Sequence, residues 1–149
     1  MAEQNFKRNV AYKLKAENIL SGNPVMEGEK FTHLDFFGKR IVRVNIVGSI
    51  VDKYESEGEK KYIFFTLDDG TGQIKLRVFG DDVEKFKNIS QGQTLTVIGT
   101  LRYFNNEIYI TPEIMRKKAP QYLLVRKLEV ESQSPKNLTP EKTRELKDR

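Results

Sequence analysis

Two alternating runs of apolar residues flank a short acidic turn at the centre of this chain, and this pattern constrains the fold more than any other feature. The runs read YIFFTL at 62–67 and GQIKLRVF at 72–79, with DDGT at 68–71 between them. Period-two alternation is typical of strands that bury one face, and Asp-Gly between two such runs indicates a β-hairpin. A phosphate-binding loop would need a lysine and a following helix. We therefore interpret the DDGT turn (68–71) as the corner of a hairpin.

Three further strands and one short helix accompany this hairpin. Residues 41–52 (IVRVNIVGSIVD) alternate in the same way, and residues 93–104 (QTLTVIGTLRYF) and 107–115 (EIYITPEIM) form a second pair joined by the dipeptide NN. Residues 81–88 indicate a short helix. The order β-β-β-α-β-β matches the OB-fold, a partly open five-stranded barrel. We predict an all-β protein: a five-stranded OB-fold barrel with a short helix between strands 3 and 4 and a C-terminal helix.

The segments outside this pattern divide the chain into four parts. Residues 8–20 favour a short strand or an arm laid on the domain, and residues 26–40 favour a loop with a short packed turn. The last residues are polar and contain two prolines, which is typical of a linker or a disordered tail. The predicted division is an N-terminal arm and pre-barrel segment at 1–38, the OB-fold domain at 39–118, an assembly helix at 119–131 and a polar linker or disordered tail at 132–149.

Composition narrows the classes of function. The chain has 149 residues, no cysteine and one histidine, His33, so it offers no thiolate metal site and no cysteine nucleophile. Its carboxylate pairs lie at a turn and a helix start, where aspartate is common. We expect no enzyme activity, no cofactor, no metal and no small-molecule substrate. No apolar run approaches the ~18 residues of a membrane helix; we expect no membrane partner and a cytoplasmic, nucleoid-associated location. The net charge of +5 favours a polyanionic partner.

The hairpin register predicts which side chains face outward. With Phe65, Leu67, Ile74, Leu76 and Val78 inward, the opposite face carries aromatic rings beside cations. Exposed rings that stack bases, beside cations that contact phosphates, are typical of single-stranded nucleic-acid binding, although Phe64 is equally compatible with packing beneath the arm. Lys53 begins a charged loop whose ends allow a phosphate contact. The predicted nucleic-acid-binding residues are Phe79, Phe104, Arg77, Lys75, Arg102, Phe64, Tyr62 and Lys53.

The predicted C-terminal helix carries more apolar residues than one narrow stripe on a small domain needs. The helix either packs back onto the barrel or remains exposed for assembly with another chain, and the sequence leaves both readings open. The predicted partner-binding residues are Tyr122, Leu124, Val125 and Leu128.

Several ordered segments resemble one family of proteins. RVNIVGSIVDK, FTLDDGTGQIKLRVFGDD, LTVIGTLRYFNNEIYI and APQYLLVRKLEV, preceded by RNVAYKLKAENIL, are similar to the OB domain of the middle subunit of replication protein A, most closely its archaeal form. The resemblance covers residues 8–131. It implies single-stranded DNA binding in replication, repair and recombination, with bases stacked on Phe79 and Phe104. It also implies assembly with other replication-protein-A-like subunits into a heterotrimer through the helix after the barrel.

Two other functions are compatible with the same sequence. The chain could be mainly a structural or assembly OB subunit whose partner binds most of the DNA. It could instead be an RNA-binding OB module.

Overall fold

The computed structural model describes residues 10–133 of the chain. This part is mostly β and contains nine strands and three α-helices. The strands are β1 (Ala11–Lys13), β2 (Asn23–Glu27), β3 (Lys30–Phe36), β4 (Lys39–Ile41), β5 (Arg43–Glu55), β6 (Tyr62–Asp68), β7 (Gln73–Phe79), β8 (Thr94–Phe104) and β9 (Glu107–Lys118). The helices are α1 (Ala16–Ser21), α2 (Val83–Phe86), which follows a 3₁₀ turn at Gly80–Asp82, and α3 (Tyr122–Gln133).

Five strands pair into a closed ring. The pairings run β5-β6-β7-β9-β8 and return from β8 to β5, while β1 adds to β5 in parallel. The ring contains the five predicted strands, and α2 lies between the third and fourth of them as expected. Their inward residues, among them Phe65, Leu67 and Leu76, are fully buried. The alternating pattern therefore identified the ring because period two directly reports which side of each strand is buried.

Two glycines allow these strands to approach closely. A Cβ on Gly48 would lie 2.8 Å from Cγ of Leu67. A Cβ on Gly99, at an irregularity in the β8–β9 register, would collide with the carbonyl oxygen of Thr111 and lie 2.8 Å from Cα of Pro112. Glycine is required at such positions because any side chain would push the strands apart.

The prediction of a loop at residues 26–40 was wrong. The expectation of five strands does not hold for the described chain, because the segment expected to be a loop at 26–40 forms most of a second, three-stranded sheet, β2-β3-β4. β3 and β4 are joined at Phe37 and Gly38, both with positive φ. This sheet does not stand apart: Leu34 and Phe36 of β3 belong to the same buried core as the ring.

The N-terminal segment and α2 cover opposite ends of the ring. The segment reaches the start of β7, where Cδ1 of Leu20 lies 3.1 Å from the position of a Cβ on Gly72. Helix α2 follows the end of β7 and inserts Val83 and Phe86 into the core. Both ends of the ring are therefore closed by apolar side chains, and the sides of the strands remain available as a surface.

The DDGT turn joins β6 to β7, as predicted, and also caps helix α1. The carboxylate of Asp69 accepts a hydrogen bond from the backbone N–H of Ala16 at 2.7 Å. The hydroxyl of Thr71 accepts one from the N–H of Glu17 at 3.1 Å. These N–H groups belong to the first turn of α1, which has no intrahelical partner for them. The turn therefore ties the N-terminal segment to the ring.

Helix α3 packs on the outside of β5 through one buried cation. The guanidinium of Arg126, which is 6% exposed, donates to Oδ1 of Asn45 at 2.7 Å and to the carbonyl oxygen of Asn45 at 3.1 Å. Two ion pairs, Lys13–Glu129 and Lys15–Glu131, join the same helix to the N-terminal segment at 3.5 Å each. None of the helices within residues 10–133 is long and apolar enough to cross a membrane.

Candidate nucleic-acid interface

The outward residues of β6, β7 and β9, of the end of β8 and of the end of β5, where Tyr54 lies, form one continuous surface, which we call the binding face. Thr66 of β6 pairs with Lys75 of β7, Lys75 pairs with Tyr109 of β9, and Tyr109 pairs with Arg102 of β8. Directly paired residues point to the same side of a sheet. The strand register therefore places one row of polar and aromatic side chains across four strands.

Four rings cluster at one end of the binding face. Tyr62 lies between its neighbours, with ring centroids 4.8 Å from Phe64, 6.0 Å from Tyr54 and 6.4 Å from Phe79. Phe64 also meets Phe79 edge to face at 5.9 Å. Tyr54 and Phe79 are 56% and 52% exposed. Such a partly exposed aromatic cluster offers π-faces on which bases stack without regard to sequence.

The hydroxyl of Tyr62 remains protonated at neutral pH. A side-chain hydrogen bond with Tyr54, reinforced by the proximity of that second phenol and by desolvation, raises the pKa of Tyr62 above its ordinary value of 10.0. The pKa is raised because these interactions favour the neutral form of the phenol. Tyr62 therefore presents no negative charge to a polyanion.

Arg77 lies at the centre of the binding face. Its guanidinium is 4.3 Å from the ring centroid of Tyr109 and 5.4 Å from that of Phe64. Nη2 of Arg77 also donates to Oε1 of Glu107 at 2.7 Å. The rings and the carboxylate hold the guanidinium against the sheet, and the carboxylate neutralises its charge.

Two further cations extend the charged part of the face. Nζ of Lys75 donates to Oγ1 of Thr66 at 3.0 Å, and the residue is exposed. Arg102 is also exposed, and it lines an open groove in which Arg43 and Lys85 are paired with the carboxylates of Glu113 and Asp82. The face thus places positive charge beside rings, the combination that binds a phosphate backbone with stacked bases.

The other predicted stacking residue lies at the opposite end of the face. Phe104, 58% exposed, pairs with Glu107, two residues before Tyr109. Phe79 lies four residues beyond Lys75, the partner of Tyr109 on a parallel strand. The two phenylalanines are therefore six residues apart along the strand direction, or ~20 Å at ~3.3 Å per residue. They mark the two ends of a track and do not form one site.

The structure does not bring Lys53 to this face. Lys53 pairs with the buried Phe65, and its Nζ donates to the carbonyl oxygen of Lys87 at 2.7 Å beside α2. The next residue, Tyr54, pairs with Phe64 and points outward instead. Strand β5 continues to Glu55, so Lys53 belongs to a strand and not to the predicted charged loop. Because side chains alternate along a strand, Lys53 lies on the opposite side of the sheet from Tyr54.

Sequence reasoning missed two rings of the face, Tyr54 and Tyr109. Tyr54 lies in the charged segment 53–61, where the apolar alternation fades. Tyr109 lies in a predicted strand next to the inward residue Ile110, so the alternation of side chains along that strand would have placed Tyr109 outward. Within residues 10–133 no group of three or more His, Asp or Glu residues is placed to hold a metal ion.

The described part of α3 divides the predicted partner-binding residues. Leu124, Val125 and Leu128 are 61%, 50% and 59% exposed. Tyr122 is half-buried on the inner side, with its ring 5.9 Å from the guanidinium of Arg126. The sequence allowed either packing on the barrel or exposure for assembly, and α3 combines the two. Its inner side packs on the ring, and its outer side presents an exposed apolar stripe.

The closed ring of strands, its capping helix and the face of rings and cations define the class of protein. Residues 44–118, which are half of the chain, match the tRNA anti-codon family. This family is described as an OB-fold nucleic acid binding domain, and the chain belongs to it.

One protein is similar to this chain in sequence, and two solved structures are similar to it in fold. An uncharacterized protein of Methanocaldococcus jannaschii is 32% identical over 123 residues, which is 83% of this chain and 48% of that protein; the chain thus spans about half the length of this relative. The fold is similar to a chain of a replication protein A heterotrimer bound to ssDNA, with a TM-score of 0.64, 22% identity and coverage of 81% of this chain and 92% of that one. It is also similar to a chain of the S. pombe Stn1–Ten1 complex, with a TM-score of 0.73, 17% identity and coverage of 92% and 99%.

Proposed function

We propose that this chain is a non-catalytic, single-stranded DNA-binding subunit of a replication-protein-A-like heterotrimer, with an OB barrel that acts in DNA replication, repair and recombination. Its location in the cell would be cytoplasmic and nucleoid-associated. The observation that carries the proposal is the binding face, where exposed rings at both ends flank a central group of cations. The similarity in fold to a chain of a replication protein A heterotrimer bound to ssDNA supports the choice of ligand and of assembly.

The proposed path of the strand follows the binding face from Phe79 to Phe104. Bases stack on the cluster of Tyr54, Tyr62, Phe64 and Phe79 at one end and on Phe104 at the other. Lys75, Arg77 and Arg102 lie between these ends and contact phosphates. Each stacked base contributes ~1–3 kcal/mol. A duplex would hide the faces of its bases in its own stack, so this arrangement favours a single strand.

Fluorescence anisotropy of labelled oligo-dT, titrated at low salt, tests the proposal. The variants Phe79→Ala and Phe104→Ala should each weaken binding at least ~5-fold because each removes one stacking surface. Phe37→Ala is the matched control, since Phe37 is 64% exposed but lies at the tip of the β3–β4 hairpin. Equal loss in the control, or no binding by the unaltered chain, would reject the face as a DNA site. Tighter binding to structured RNA than to oligo-dT would favour the RNA-binding alternative.

The proposed contact with other subunits is the outer stripe of α3, formed by Leu124, Val125 and Leu128. Three adjacent exposed apolar residues on one helix are costly in water unless a partner covers them. The inner side of the helix is fixed by Arg126, so the stripe is presented in one orientation. We propose a helix of a partner subunit as its occupant, which is consistent with the similarity to chains of two multi-subunit complexes.

Co-purification with candidate partner subunits tests this contact. The double variant Leu124→Glu with Leu128→Glu should lose the partner and keep its melting temperature, since both side chains are exposed. Met26→Glu, an exposed apolar residue of β2, is the control. An intact complex in the double variant would count against the stripe. Retained partner with weak DNA binding by the isolated chain would favour a mainly structural subunit.

A further inference from the structure

A cavity of about 390 Å³ opens at the Phe104 end of the binding face, and nothing described above uses it. The β7–β9 pairing consists of Lys75–Tyr109 and Leu76–Ile110 only. Before these pairs the two strands diverge, and residues from both, including Gln73 and Glu107, line the opening. We call this opening the end cavity. Its volume lies within the ~300–1,000 Å³ typical of small-molecule sites.

The walls of the end cavity are apolar below and polar at the rim. Leu34 and Ile74 are buried beneath it, and Leu20 forms one side. The rim is formed by four polar residues, Lys75, Gln73, Asn106 and Glu107. Each makes one hydrogen bond within the chain, to Thr66, Asp68, Tyr103 and Arg77 respectively. An ammonium, an amide and a carboxylate can each make more than one hydrogen bond, so the rim keeps capacity for a ligand. A flat apolar ring with donors and acceptors along its edge matches such a lining, because the rim offers both donors and acceptors. A phosphate does not, because the buried apolar floor of Leu34 and Ile74 would desolvate its charge.

We propose that the end cavity binds the terminal nucleobase of the single strand held by the binding face. The inference rests on the proposed function and adds to it a site that reads one base by hydrogen bonds, in contrast to the sequence-tolerant stacking elsewhere. The cavity is continuous with the face through Lys75 and Glu107, which belong to both. It also adjoins the β8–β9 turn immediately after Phe104. A strand that passes Phe104 therefore meets the cavity next.

The lack of tryptophan in the chain makes a specific reporter available. Leu20→Trp places a single indole at the side of the cavity, at a residue that is 48% exposed. The shortest oligo-dT that retains full affinity fixes the register, and two further oligomers lack the base at the 5′ or the 3′ end. Binding is followed independently by anisotropy. Leu124→Trp, on the outer stripe of α3, is the matched control.

The expected result is a change in the Leu20→Trp emission on saturation with oligo-dT and none for Leu124→Trp. Removal of the base at one end, but not the other, should abolish the change while the oligomer still binds. An unchanged Leu20→Trp emission on a bound oligomer, or a signal that survives removal of either end base, overturns the end cavity and leaves the proposed function intact. Absence of binding by anisotropy overturns both.

A pair of turn variants gives a second test that does not depend on the reporter. Asn105 and Asn106 both have positive φ, 52° and 60°, so glycine preserves the turn at either position. Only Asn106 lines the cavity. Asn106→Gly should weaken binding of the full oligomer ~5-fold, the loss of one hydrogen bond, and should have no effect on the oligomer that lacks the bound base. Asn105→Gly should match the unaltered chain. Equal effects of the two variants would overturn the proposal.

Discussion

The ion pair between Arg77 and Glu107 makes a quantitative prediction about DNA binding. Nη2 of Arg77 lies 2.7 Å from Oε1 of Glu107, so the carboxylate occupies donors that a phosphate would otherwise use. Binding a phosphate at Arg77 therefore requires breaking this pair. Glu107→Gln removes the negative charge and keeps the size of the side chain. We expect the variant to bind oligo-dT more tightly than the unaltered chain.

The size of the effect follows from the charge and its exposure. Both partners are accessible to water, with side chains 20% and 48% exposed, and an exposed pair of this kind contributes no more than ~1 kcal/mol. Releasing Arg77 should therefore tighten binding by up to ~5-fold at low salt. One additional phosphate contact also steepens the slope of log K against log salt by ~0.7 for a single strand. A fourfold rise in salt should then reduce the gain to ~2-fold.

Anisotropy titrations at several salt concentrations measure both quantities. Glu129→Gln is the matched control, because it makes the same change in net charge and also removes a carboxylate paired with an arginine: Glu129 of α3 pairs with Arg126 and Lys13 on the β1–β5 side of the molecule. The control should reproduce the affinity and slope of the unaltered chain. If Glu107→Gln behaves like Glu129→Gln in both affinity and slope, Arg77 does not contact phosphate and the reasoning fails.

Two further predictions concern stability, measured by thermal or urea unfolding. Gly99→Ala should destabilise the chain by ~3 kcal/mol, the upper range for overpacking, because its Cβ would collide with the backbone of Thr111. The control Gly58→Ala has no heavy atom near the new Cβ and should change stability by less than ~0.5 kcal/mol. Equal effects of the two variants would show that β8 and β9 do not approach so closely. Asp69→Ala should cost ~1–2 kcal/mol as the loss of a helix cap, because its carboxylate accepts from the N–H of Ala16; an unchanged midpoint would mean that the turn does not stabilise α1.

The ring of strands could be predicted from the sequence because its signal is local. In β7 every second residue is buried, and β6 follows the same alternation except at Thr66, which is also buried, so the pattern itself indicates the fold and the outward face. The sheet β2-β3-β4 gave no such signal, since within the seven residues of β3 only Leu34 and Phe36 are buried. The turn at Phe37 was equally hard to see, because phenylalanine rarely adopts its positive φ of 51°.

The binding face was predictable in composition but not in its internal contacts. The alternation of side chains along each strand identified Phe79 and Arg77 as outward. It cannot show that Glu107, from a strand distant in sequence, would pair with Arg77. The same limit applies to Arg126, which a helical pattern assigns to solvent and which is in fact buried on Asn45. Long-range pairs depend on the three-dimensional register, and a linear pattern does not contain it.

The closure of one end of the ring by the N-terminal segment has a practical consequence for anyone who shortens this chain. The family match begins at residue 44, but the residues that fill that end, Leu14, Ile19, Leu34 and Phe36, all precede it. A fragment cut at residue 44 would expose the apolar surface that these residues cover, and it would also leave Asp69 without the helix it caps. Removing one large buried side chain costs ~2–5 kcal/mol, so the loss of all four is comparable to the ~5–15 kcal/mol that stabilises a small domain. The unit that folds by itself is therefore longer than the region that the family match covers.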